Sequence, residues 1–191
     1  MAKLICLIVS ILLPTTALAG DWYALLRGGA VFSFDRSNQD EVEFGDEPGA
    51  SLEAGIGHRF GLTDRWRVNA EGQLIGQGIP LHGRNDKREA TADGRVFWLA
   101  GATVNLWPEY ALSDQWSLYG GGGVGPGIIT AFGASEPTLI LIGGVGVRFE
   151  ATTALSLDVG GRYYWTAPAR VDGAKSEYDS LGPSFALIWY F

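Results

Sequence analysis

Two histidines, His58 and His82, are the side chains whose unperturbed pKa suits them to proton transfer near neutral pH. Catalysis of that kind needs a base within reach of a nucleophile and a third group to orient the pair. His58 falls near one end of a stretch of alternating apolar and polar residues, on its apolar side, where an amphipathic ring at an interface requires no chemical role. His82 lies in a polar connection. The single cysteine, Cys6, precedes the residues that form the folded domain, so a disulfide framework and thiolate metal sites are excluded. No histidine pair stands at ligand spacing. The run Gly120-Gly121-Gly122-Gly123-Val124-Gly125-Pro126-Gly127 matches the dinucleotide fingerprint formally. Its context rejects that reading: the run lies inside a predicted strand and Pro126 and Gly127 would break any following helix. Glycines there leave room for long facing side chains, or permit a bend in a sheet. Five carboxylates, Asp40, Glu41, Glu43, Asp46 and Glu47, crowd one segment; a solvated acidic loop is the ordinary reading, and an oxygen-ligand calcium site the alternative. The expectation is therefore no catalytic residue, no cofactor and no metal site.

What positions these residues is a strand pattern. Hydrophobic residues make up 47% of the chain, yet beyond residue 19 no apolar run is long enough for a membrane helix, so the apolarity is distributed. The first 19 residues read as an export signal, with basic Lys3, an apolar core from Leu4 to Leu13, Pro14, and Ala17-Leu18-Ala19 as a small-x-small cleavage site. The domain division is 1–19 signal peptide and 20–191 barrel.

From Trp22 onward, eight stretches alternate with period two. They span Trp22 to Phe34, Ala50 to Phe60, Trp66 to Gly76, Arg95 to Trp107, Trp116 to about Ile128, Leu139 to Phe149, Leu155 to Trp165, and a last one closing at Phe191. In the fourth, Phe97 and Leu99 blur the polar face. Long polar connections are expected at Asp35 to Gly49, Gln77 to Gly94, Ile129 to Thr138 and Thr166 to Ser180, alternating with three short turns. Those turns repeat one another: Phe60-Gly61-Leu62-Thr63-Asp64-Arg65-Trp66 matches Tyr110-Ala111-Leu112-Ser113-Asp114-Gln115-Trp116, with Phe149 to Leu155 as a degraded third copy. Their Asp, Ser and Thr side chains supply acceptors for local amides.

Lysine placement decides which face points outward. A soluble barrel needs a charged exterior, yet after residue 19 the only lysines are Lys87 and Lys175, both in long connections. The apolar face therefore meets lipid. Eight strands enclose an interior just wide enough for side chains. Arg27, Glu53, Arg59, Arg67, Glu71, Arg148, Asp158 and Arg162 lie on the polar face, and each would be costly if buried alone, so they are expected to form a mutually bonded network that plugs the lumen. Trp22, Trp66, Trp107, Trp116 and Trp189 fall near one end of the strands and Trp98 and Trp165 near the other, giving two aromatic girdles. The fold class is all-β, an eight-stranded antiparallel up-and-down transmembrane barrel.

An export signal, eight strands and a last strand with apolar residues at alternate positions, Phe185, Leu187, Trp189 and Phe191, together resemble the small outer-membrane barrels of the OmpA transmembrane-domain and OmpX type. The likeness spans Trp22 to Phe191. It implies residence in a Gram-negative outer membrane and recognition of the terminal strand by the barrel-assembly machinery. Partners implied are outer-membrane lipid, lipopolysaccharide and a host or surface ligand reached through long loops; no basic footprint for nucleic acid is present. The connection with His82, Arg84, Lys87 and Arg88 suits lipopolysaccharide phosphates, although Asp86, Glu89 and Asp93 neutralise it. Barrels of this size include structural proteins, adhesins, narrow channels and lipid A enzymes, so architecture alone does not assign activity. The deacylases among them carry His-x-Ser; His58 is followed by Arg59-Phe60 and His82 by Gly83-Arg84, so that motif is missing. The reading is a non-enzymatic barrel with a structural or surface-interaction role. Its rivals are a narrow pore, favoured by a polar lumen and by Gly121, Gly123, Gly125, Gly144 and Gly146, and a lipid A modifying enzyme.

Overall fold

The computed structural model describes residues 20–34, 43–44, 48–82, 95–131, 133–171, 174–176 and 178–191. The predicted export signal, most of the acidic segment and the connection carrying Arg84, Lys87 and Arg88 lie outside the described residues. Eight long strands form the wall: β1 (Gly20–Phe34), β2 (Gly49–Gly61), β3 (Trp66–His82), β4 (Arg95–Ala111), β5 (Trp116–Ala131), β6 (Ala134–Glu150), β7 (Leu155–Thr166) and β8 (Asp179–Tyr190). Every strand pairs antiparallel with its neighbours in sequence, and β1 pairs with β8 from Tyr23 opposite Tyr190 to Phe34 opposite Asp179. The sheet thus closes without an edge, as the alternation and the last strand led one to expect. Two short pieces, Ala169–Val171 and Ala174–Ser176, form a small hairpin between β7 and β8.

The strands run past the bounds that alternation gave. β3 continues through Gln77 and Ile79, both fully buried, to His82. The expected long loop at Ile129 to Thr138 does not exist: β5 and β6 stay paired up to Ala131 opposite Ala134. β-branched Ile128, Ile129 and Thr130 extend the strand, and Gly133 supplies the positive φ of 84° that reverses the chain. Polar residues in that segment conceal a strand whose inward side is Ile129 and Ala131.

The three repeated turns share one construction. The amides of Leu62 and Thr63 donate to the Trp66 carbonyl, those of Leu112 and Ser113 to Trp116, and those of Ala151 and Thr152 to Leu155. The hydroxyls of Thr63, Ser113 and Thr152 accept amides two or three residues on. Each turn is also tied to the next strand end, by Ala111 N–H to the Arg65 carbonyl at 2.8 Å, Glu150 to Gln115 at 2.9 Å and Tyr190 to Ala154 at 3.0 Å. A continuous ring of bonds therefore closes this turn end of the barrel.

Pairing within the wall is interrupted at three places, each beside a strand proline. Two are in the β4–β5 seam, at Pro108 and Pro126, and one in the β8–β1 seam, at Gly182–Pro183 opposite Ala30–Val31. Proline has no amide to donate, so the ladder lapses there.

The outer surface is apolar at mid-height, where Leu74, Val104 and Val145 are 66%, 69% and 67% exposed. A patch of this extent is stable only against lipid or a partner. Leu74→Arg is expected to lower the stability of the barrel folded into vesicles by about 2–4 kcal/mol, the penalty for a guanidinium near the bilayer midplane. Denaturant titration measures it, and an unchanged midpoint would mean that this wall does not face hydrocarbon.

The candidate functional site in the barrel lumen

Alternation sends every second side chain inward, and the turn-end half of the lumen is filled by an ion ladder. Arg67 and Glu150 stand at its mouth, each 26% exposed and 2.7 Å apart. The same Glu150 oxygen accepts Arg59 Nη1 at 2.8 Å. Deeper in, Glu109 is fully buried and accepts from Arg148 Nη1 at 2.7 Å, Asn69 Nδ2 at 2.9 Å and Ser117 Oγ at 3.0 Å, with Arg59 and Arg67 at 3.6 and 3.5 Å. Arg148 reaches Asp158 at 3.4 Å, Asp158 lies 3.5 Å from Arg27, and Arg27 donates to Glu53 at 2.9 Å. The Tyr164 hydroxyl donates to the other Glu53 oxygen. Glu71 stands apart from this chain, held by the Tyr23 hydroxyl at 2.8 Å and by the Gln73 amide.

Five arginines and five carboxylates thus share a lumen from which water is largely excluded. Buried ion pairs are stable only when geometry is good and remaining donors and acceptors are met. Glu109 shows why the ladder holds together: one carboxylate engages three guanidiniums and two neutral donors. All eight residues expected in the lumen are there. Glu109 and Glu150 were missed because the fourth and sixth strands were ended at Trp107 and Phe149, four residues and one residue too early. Tyr23 and Tyr119 were missed because aromatic rings suggest the outer face. Parity would have found both, since Tyr23 alternates with Arg27 and Tyr119 with Ser117.

Glycines seat these long side chains. A β-carbon on Gly146 or Gly160 would lie 2.3 or 2.6 Å from the Tyr119 hydroxyl oxygen, and one on Gly57 would lie 2.4 Å from Tyr23 Cζ. The Tyr119 hydroxyl crosses this bare surface to reach Asp158. In the glycine run that resembled a nucleotide loop, β-carbons on Gly121, Gly123 and Gly125 would run into the carbonyl oxygens of Leu106, Val104 and Ala102, so the run permits close approach of β4.

Trp107 corrects the girdle. It is 1% exposed and points inward, because it shares the parity of Phe97, Leu99 and Glu109 and not that of Leu106. Trp22, Trp66, Trp98, Trp116 and Trp189 are exposed on the outer surface and Trp165 is half-buried there. At the turn end the outward rings pair across strands, Trp22 with His58 at 4.8 Å, Trp66 with Tyr110 at 5.0 Å and Trp116 with Phe149 at 4.8 Å. His58 thus sits between Trp22 and Phe60, and its Nδ1 has no hydrogen-bond partner among the described residues. Phe185, Trp189 and Phe191 are exposed and Leu187 is half-buried on the outer side of the last strand.

The loop-end half of the lumen is largely apolar, although Gln77, Thr166 and Ser180 are also buried toward that end. Val31, Ile75, Ile79, Phe97, Leu99, Ile129, Ile140 and Ile142 form one buried cluster there with Tyr178. Tyr178, which precedes β8, enters this cluster from the loop end; its hydroxyl donates to Gln77 at 3.1 Å and its ring lies 4.9 Å from Phe97. An apolar layer thus seals the ladder from above. Among the described residues no cluster of three or more metal-ligating side chains occurs. Below the ladder, a cavity of about 450 Å³ opens at the mouth, lined by Arg59, Glu150, Thr152, Thr153, Tyr190 and Phe191.

No family model and no curated protein sequence matches this chain. Solved structures do. Neisserial surface protein A (NspA) aligns over 89% of this chain and 97% of its own with a TM-score of 0.58 at 15% identity. Ail, the attachment invasion locus protein of Yersinia pestis, aligns over 90% and 96% at 0.46 and 18% identity, and the outer membrane enzyme PagL over 91% and 99% at 0.44 and 14% identity. The chain has the fold of the small eight-stranded outer-membrane barrels.

Glu109→Gln would leave the arginines around it short of a counter-charge, and is expected to destabilise the barrel by about 3–5 kcal/mol. Glu136→Gln, near the β5–β6 turn, should change it by less than about 0.5 kcal/mol. Denaturant midpoints of the two variants in the same detergent check the contrast, and equal midpoints would remove the ladder as a stabilising element.

Proposed function

We propose that this chain is an exported, non-enzymatic protein of a Gram-negative outer membrane. Its barrel is a rigid, non-conducting mount for the connections at the loop end, and its role is envelope integrity or surface interaction. The filled lumen carries this reading. An ion ladder occupies one half and a largely apolar cluster the other, so ions crossing the barrel would have to displace fixed charges and then pass between buried hydrocarbon side chains. Of the glycines that favoured a pore, Gly146 is covered by Tyr119, Gly144 by Arg162 and Gly123 by Asn105, which weakens that rival.

A lipid A enzyme is disfavoured by the surroundings of His58, whose ring lies between Trp22 and Phe60 and whose Nδ1 has no hydrogen-bond partner among the described residues. Outer tryptophans and tyrosines would anchor the cylinder at the two interfaces, with outer-membrane lipid and lipopolysaccharide as its immediate partners. The outward residues Phe185, Leu187, Trp189 and Phe191 form the segment that the barrel-assembly machinery would read. The first 19 residues would be removed on export.

In planar bilayers the purified protein should give no reproducible unitary conductance. Discrete channel steps would transfer the assignment to a narrow pore. In cells, deletion of the gene should weaken envelope integrity, adhesion or serum survival while leaving the lipid A mass spectrum unchanged, and a lipid A species lost on deletion would point instead to the enzyme.

A further inference from the structure

Arg162 is the one ladder-height arginine that the ladder does not use. It is 1% exposed, and its Nε, Nη1 and Nη2 have no hydrogen-bond acceptor among the described residues. Arg27, Arg59, Arg67 and Arg148 each contact at least one carboxylate. Arg162 instead runs over Gly144, and its guanidinium carbon lies over Trp107, 3.8 Å from the ring centre. Trp107 Nε1 has no acceptor either. A desolvated guanidinium and an indole N–H therefore meet in one place with no hydrogen-bond acceptor among the described residues, an arrangement that favours an added anionic group.

The surroundings indicate what such a group is attached to. One register step toward the loop end stand Ile142 and Tyr164, which pair with each other, and beyond them the buried apolar cluster. The top of that cluster is closed by the Tyr178 ring; the Tyr178 backbone is bonded to Thr166 at the end of β7, so only a rotation of its side chain is needed to uncover the cluster. Level with Arg162, its β8 partner Gly182 borders the proline break in the β8–β1 seam, so the wall is also weakest here.

We propose that the loop-end half of the lumen binds one single-chain amphiphile with an anionic head, the head accepting hydrogen bonds from Arg162 and Trp107 and the hydrocarbon tail taking the place of the Tyr178 ring. A fatty carboxylate has the required chemistry: two acceptor oxygens match the guanidinium fork, and the tail matches the isoleucine and phenylalanine lining. Tyr178 acts as the stopper, and binding selects the state in which it is withdrawn.

The test uses the full chain in neutral detergent with Trp22, Trp66, Trp98, Trp116, Trp165 and Trp189 replaced by phenylalanine. Trp107 emission then reports from inside the lumen. Dodecanoate is titrated against dodecanol, which has the same chain without the charge. A saturable change at Trp107 is expected with dodecanoate, at least ten-fold weaker with dodecanol, at least ten-fold weaker in Arg162→Gln, retained in Arg162→Lys and tighter in Tyr178→Ala. No saturable response in either the parent or Tyr178→Ala overturns the proposal, as does equal binding of acid and alcohol. Should Arg162→Gln lose the gel shift of a folded barrel, the comparison of dodecanoate with dodecanol in the parent decides alone.

Discussion

A polypeptide crossing hydrocarbon must bond its backbone amides and carbonyls within itself, and every other feature of this chain follows from meeting that requirement with strands. Helices are the alternative, and no described helix is long and apolar enough to cross a membrane. Closure between β1 and β8 leaves no unpaired edge. Once eight strands close, the interior is only as wide as the side chains that fill it. Outward positions then become aliphatic and aromatic, and inward positions must be mutually compatible in volume and charge.

Volume and charge are solved together in the turn-end half. Arginine, glutamate and tyrosine are long, so they fit only where facing positions are bare, and Gly57, Gly144, Gly146 and Gly160 provide those positions. The ladder then neutralises each charge locally, with Glu109 and Asp158 as the shared nodes. Removing one node would strand several cations at once, whereas trimming one outer leucine would only reduce contact with lipid. The two faces of the same strand therefore tolerate change very differently.

The loop-end half follows another rule. Its interior is aliphatic on both sides of the wall at the same height, with Leu74 outside and Ile75 inside on β3, so the sheet separates two apolar media. Against water such an interior would require a cover, and Tyr178 supplies one. The three proline interruptions lie in two seams, β4–β5 and β8–β1, while the other pairings run unbroken. Fold likeness to outer-membrane barrels fixes the scaffold and leaves activity to the particular side chains it carries.

Much of this was legible from residue order. Period-two alternation identified the eight strands, the scarcity of lysine set the lipid face, and the Thr63, Ser113 and Thr152 repeats located the turns. These are local signals, carried by neighbours in sequence. Strand limits were not legible where apolar residues occupy both faces, as from Phe97 to Leu99, or where polar residues continue a strand, as at Thr130 and Ser135. Trp107 shows the same ambiguity, since hydrophobicity sends a tryptophan outward and only its register in β4 turns it inward. Which arginine meets which carboxylate, and that Arg162 meets none among the described residues, depends on strands as far apart as β2 and β6 being brought face to face. Composition could say that the charges must be paired because burial demands it; only barrel closure, which sets the height of every inward residue against every other, chose the pairs.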